Sequence, residues 1–110
     1  MSSTTGLRAM RYNVGIWIDH HKAIIVATSA YGVTTDTVEP DNDGRFYDEV
    51  IRRLGLAEAL LIFGPGEAKM ELKERLSRSK ARSRRIVGIE TTDTLTDPQI
   101  VAKVRAHYGA

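Results

Sequence analysis

Apolar residues recur at two different spacings along this chain, and the switches between them mark its elements. Val14, Ile16 and Ile18 alternate with Gly15 and Trp17, so Asn13–Asp19 predicts a strand apolar on both faces, suited to the middle of a covered sheet. Ala23–Ser29, with Ile24, Ile25 and Val26 in succession, predicts a second such strand, reached by a tight turn at His20-His21. Val33–Val38 is richer in threonine and follows a Tyr31-Gly32 turn, which predicts an outer strand. After the turn-forming loop 39–44 the spacing lengthens. Phe46, Val50 and Leu54 share one stripe of a helix over 45–54, which Gly55 stops. Ala59–Phe63 predicts a short buried strand ending at Gly64-Pro65-Gly66. Ala68, Leu72 and Leu76 then predict a helix over 67–79, and Ile86–Glu90 a fifth strand. Thr96-Asp-Pro-Gln99 has capping-box spacing ahead of a last helix whose apolar face is Ile100, Val101, Val104 and Tyr108.

Three meandering strands are thus followed by helix, strand, helix, strand and helix. Helical crossovers make strands four and five parallel to strand one. The expected architecture is α/β: a five-stranded mixed sheet of order 3-2-1-4-5 with three helices, the layout of the ribonuclease H-like fold. Residues 1–12 read as a flexible tail and 13–110 as a single domain, a size that needs no disulfide or metal staple. There is no cysteine, which excludes a disulfide scaffold, a thiolate zinc site and a cysteine nucleophile, and fits a reducing compartment. No apolar stretch approaches the roughly 18 residues of a membrane span, and the start lacks the apolar centre of a secretion signal. The expected location is the cytoplasm, away from membranes.

The net charge of +2 conceals a strong asymmetry. Segment 73–85 holds seven of the sixteen basic residues and only Glu74 of the fourteen acids, so the rest of the chain is net negative. Glu71–Arg75 and Glu74–Arg78 stand i, i+4 with the acid first, the favourable direction for pairing on a helix. Lys80, Arg82, Arg84 and Arg85 have no such neighbours. Uncompensated guanidinium groups suit phosphate, to which their planar fork donates two parallel hydrogen bonds. No aromatic residue is interleaved, so the expected contact is with backbone phosphate and not with stacked bases. Arg78 and Lys69 are secondary candidates.

Three other features carry weaker chemistry. Free amides at Gly64 and Gly66, before a helix, can hold an anion with help from Lys69. However, Glu67 opposes this, the spacing is not that of a nucleotide-binding loop, and a plain strand–helix turn explains the glycines as well. Asp19 ends the first strand; with Glu49, Glu67, Glu90 and Asp93 it forms the one acid set that a two-metal nuclease could draw on, though a turn-forming Asp19 accounts for it too. His20 and His21 are sequence neighbours that an extended backbone points apart, and His107 lies near the chain end, so all three read as turn or surface residues. Trp17 and Phe63 read as core. Tyr31 and Tyr47 are candidate exposed aromatics, and no serine sits in a nucleophile motif.

The run Val14-Gly-Ile-Trp-Ile-Asp-His-His-Lys-Ala-Ile-Ile-Val26 resembles the opening of the middle domain of archaeal and eukaryotic peptide-chain release factors and of Pelota. There a glycine-led strand ends at an acidic residue before a short turn and a second apolar strand. Leu61-Ile-Phe-Gly-Pro-Gly-Glu-Ala-Lys69 is similar to the family's strand, Gly-Pro-Gly turn and helix start. In element order the likeness spans residues 13–107, and the chain also resembles small bacterial relatives labelled translational machinery proteins. Release factors use a Gly-Gly-Gln tripeptide to help hydrolyse peptidyl-tRNA. This chain has none, and it is too short for a codon-reading or partner-binding domain.

The resemblance therefore implies a ribosome- or RNA-associated module without chemistry or cofactor of its own, nearest to Pelota's middle domain, which also lacks the tripeptide. Two alternatives stand beside it: a metal-dependent ribonuclease H-like nuclease built on the acid set, and a homo-oligomeric interaction module whose threonine-rich outer strand pairs with its copy.

Overall fold

A computed structural model of the chain describes residues 12–41, 44–55, 57–78 and 85–109. In order they form β1 (Asn13–Ile18), β2 (Ala23–Ser29), β3 (Gly32–Val38), α1 (Phe46–Leu54), β4 (Ala59–Gly64), α2 (Ala68–Arg78), β5 (Arg85–Thr91) and α3 (Asp97–Tyr108). The sheet order is β3-β2-β1-β4-β5. β2 pairs antiparallel with both β1 and β3, while β4 lies parallel to β1 and β5. The order, directions and three helices expected from sequence are all present among the described residues, with boundaries shifted by a residue or so.

Burial explains the continuous apolar runs of the central strands. On one face Val14, Ile16, Ile18, Ile25, Leu60 and Ile62 pack under Phe46, Val50 and Leu54 of α1 and Leu72 of α2. On the other, Trp17, Ile24, Val26, Leu61 and Phe63 pack under Ile100 and Val104 of α3. A strand covered on both faces has no polar side to alternate. Trp17 and Phe63 are fully buried, as their positions inside strands predict.

Local signals set the element ends. Thr96 Oγ1 accepts from Gln99 N at 3.3 Å and Gln99 Oε1 accepts from Thr96 N at 2.9 Å, completing the capping box of α3. Gly55 takes a positive φ of 58° where α1 stops. The first hairpin closes through Asp19, whose Oδ1 accepts from His21 N at 2.7 Å and Lys22 N at 2.9 Å. Tyr12, assigned to the tail from sequence, is tied into the domain: its hydroxyl donates to Leu54 O at 3.0 Å and its carbonyl accepts from Glu58 N. The rest of the expected tail lies outside the described residues.

Candidate nucleic-acid interface

The expected cationic run is bracketed by two described arginines. Arg78 ends α2 and Arg85 opens β5; both are exposed, and among the described residues neither has a carboxylate partner. Lys80, Arg82 and Arg84 lie outside the described residues. Arg85 spends its backbone N–H on Glu58 O, at 3.2 Å, and leaves its guanidinium outside that bond.

One predicted helix pair forms and the other does not. Arg75 Nε donates to Glu71 Oε2 at 2.8 Å, Nη1 stands 3.9 Å from Asp48, and the guanidinium lies over the Tyr47 ring at 5.0 Å. No Glu74–Arg78 pair is present. The helix turns those two side chains toward different grooves: Arg78 lines one with Asp48, Ile51 and Arg75, while Glu74 lines another with His20, Tyr47 and Met70. Arg78 is thereby freed of the partner that its spacing suggested.

The fold also brings an aromatic pair to the basic end. Alternation along β5 puts Arg85 on the α3 face, with Val87, and the last turn of α3 lies over the same end of the sheet. Tyr108 anchors that turn by donating to Val14 O at 3.0 Å, and His107 stands edge-on to it with ring centroids 4.8 Å apart. Burial pushes the Tyr108 hydroxyl up to about 12, with the nearby charge of Arg85 pulling the other way. His107 and Tyr108 stand more than twenty residues from the basic segment, so no local spacing connects them to it.

Lys69 turns inward. It is only 7% exposed, and its ammonium donates to Gly66 O at 2.5 Å. The amine that was expected to assist an anion is turned back onto the carbonyl of its own turn. Gly64 serves packing: a Cβ there would lie 2.2 Å from Ile18 O, at a φ of 149°. Gly66 has a φ of 68°, which suits a glycine-dependent turn.

The members of the acid set have separate surroundings. Asp19 is committed to the hairpin turn. Glu49 accepts from Arg52 and Arg53, and those bonds hold its carboxyl at about 2. Glu90 pairs with Lys103 at 2.7 Å, and Glu67 lines the His20–Tyr47 groove. Asp93 offers its carbonyl to the Trp17 indole at a long 3.5 Å. Among the described residues no three His, Asp or Glu side chains are grouped to hold a metal ion. The acids lie at loosely suitable points in the topology, and Asp19, Glu49 and Glu90 are each engaged by a partner. His20 and His21 are exposed in their turn, as expected, and His107 is exposed at the end of α3. Tyr31 is 84% exposed, whereas Tyr47 is half-buried against Phe46 and Arg75.

No family model and no curated protein matches the chain in sequence. Solved structures do match in fold. The Pelota protein of Thermoplasma acidophilum superposes with a TM-score of 0.66 at 18% identity, over 96% of this chain and 35% of that one. The fold is that of a release-factor/Pelota-like domain. Archaeoglobus fulgidus Pelota matches at 0.64 and 16% identity, over 97% of this chain and 38% of its own. An archaeal translation termination factor matches at 0.59 and 13%, over 90% and 35%. The chain thus spans little more than a third of the length of the proteins it matches. No helix is long and apolar enough to cross a membrane among the described residues.

Proposed function

We infer that this chain is an RNA- or ribosome-associated domain of the translation machinery that holds phosphate backbone through its cationic stretch, residues 78–85, and performs no chemistry of its own. The observation that carries this reading is the match of nearly the whole chain to about a third of two Pelota proteins and of an archaeal translation termination factor. Exposed Arg78 and Arg85 support the phosphate contact, and Lys80, Arg82 and Arg84 stand between them in sequence. An arginine without a carboxylate partner keeps its donors for an anion. The absence of Gly-Gly-Gln from the sequence argues for binding without peptidyl-tRNA hydrolysis. The cytoplasm is where such a role is carried out.

Contacts of this kind are largely blind to sequence and sensitive to salt, because each neutralised phosphate releases counterions. The test is sedimentation of lysate through sucrose gradients at low and high salt. Co-migration with ribosomes or RNA is expected at low salt and dissociation at high salt. Replacing Lys80, Arg82, Arg84 and Arg85 with glutamine should abolish it, with the thermal midpoint as the control for folding. A chain that stays at the top of the low-salt gradient overturns the reading.

A further inference from the structure

β3 is an open edge. It pairs with β2 on one side, and among the described residues no strand pairs with the other. Thr34, Thr35, Asp36 and Thr37 are all exposed. Edge strands usually carry lysine, proline or a bulge that discourages further pairing. Gly32–Val38 has no lysine or proline, its one charged side chain, Asp36, is paired with Arg53, and its register against β2 is unbroken. The opposite edge, β5, is different: it carries Arg85 and Glu90, and its register shifts beside Leu60 and Leu61.

The direction of the β3 backbone groups follows from the hairpins. Asp19 N donates to Lys22 O at 3.0 Å, so that pair is hydrogen-bonded. Alternation then turns the N–H and C=O of Ile24, Val26 and Thr28 toward β1, and those of Ala23, Ile25, Ala27 and Ser29 toward β3. Their β3 partners are Val38, Asp36, Thr34 and Gly32. The groups of Val33, Thr35 and Thr37 therefore point outward, a set symmetric about Thr35; Thr37 O accepts from Arg53 Nη1 at a long 3.5 Å, a bond that pairing with a second strand would replace.

We propose that β3 is a self-pairing edge, through which two copies of this chain join antiparallel about a two-fold axis at Thr35 and continue one sheet into the other. Thr35 then pairs reciprocally with Thr35 of the second copy, and Val33 with Thr37 on either side of the axis. The side chains agree with this register. Thr34 falls opposite Asp36 of the second copy, hydroxyl to carboxylate, and the symmetry repeats the pair. No like charges stand directly opposite, and each Asp36 brings its own counter-ion, Arg53, at 2.8 Å. Tyr31, 84% exposed, falls beside Glu39 and Pro40 of the second copy. The contact is isologous and closes at two subunits. It leaves both β5 edges, with Arg78 and Arg85, at the far ends of the joined sheet.

Sedimentation equilibrium of the full chain, with circular dichroism as the folding control, tests the register. Thr34→Asp places a carboxylate opposite Asp36 of the second copy and should weaken dimerisation about fivefold or more. Thr34→Lys places an ammonium there and should tighten it by a similar factor. Thr35→Pro removes an outward N–H at the axis and should leave a folded monomer. A chain that is monomeric at every concentration up to about 1 mM overturns the proposal. So does a dimer whose dissociation constant is unchanged by both substitutions at Thr34.

Discussion

Val104 of α3 closes over Gly15 of β1 so tightly that a Cβ on the glycine would lie 2.2 Å from Val104 Cγ2. The missing side chain lets the helix settle onto the sheet beside Trp17. Gly15→Ala forces the valine or the helix outward, at an expected cost of about 1–3 kcal/mol in chemical denaturation. Val104→Ala is destabilising alone because it opens a cavity, yet it should recover part of the loss when combined with Gly15→Ala. Strict additivity of the two substitutions would refute the contact.

Gly64 meets a harder obstacle. The atom that a Cβ would strike is the main-chain oxygen of Ile18, and the backbone stands at a φ of 149°. Neither strain is relieved by trimming a neighbouring side chain. Gly64→Ala should therefore cost more than Gly15→Ala, about 3 kcal/mol or more, with no compensating partner. Thermal melts of the two variants side by side would rank them.

Lys69 offers a test of the proposed interface. Lys69→Met keeps an unbranched apolar stem and removes the donor to Gly66 O. The expected stability loss is about 1 kcal/mol, with RNA retention within about twofold of the parent. If retention collapses while the thermal midpoint holds, the lysine belongs to the interface after all.

Glu49 predicts part of the acid response. Hydrogen bonds from Arg52 and Arg53 lower its carboxyl from 4.5 to about 2 in the folded chain. A depressed carboxyl stabilises the fold above its unfolded value, and the contribution fades as pH falls through the folded value. The contribution should thus be whole above about pH 5 and disappear between 4.5 and about 2. Glu49→Gln should flatten that stretch of the thermal midpoint against pH. Because the group is exposed, added salt should shrink the difference.

The fold was legible to an unusual degree because its signals are local and redundant. Two-sided apolar runs at 13–18 and 23–29 identify central strands, and the i, i+4 stripes at Phe46–Leu54 and Ala68–Leu76 identify helices. The Thr96–Gln99 box locates the start of α3 to the residue. The candidate site was less legible. Spacing predicted both Glu71–Arg75 and Glu74–Arg78, but helical geometry permits such a pair without enforcing it, and only the first is present. Lys69 read as a cation able to help an anion at the glycine turn, yet the strand–helix turn buries it.

Periodicity, turn residues and capping chemistry act between near neighbours, so the sequence by itself determined the elements, their order, the parallel crossovers and the concentration of positive charge in 73–85. The tertiary structure alone decided which charges keep their freedom. Arg53 crosses to Asp36 and Lys103 to Glu90, and Tyr108 arrives beside Arg85 from the far end of the chain. Those outcomes depend on how helices lie across the sheet. That placement is set by close-packed details such as Gly15 under Val104, which leave no mark on the local pattern.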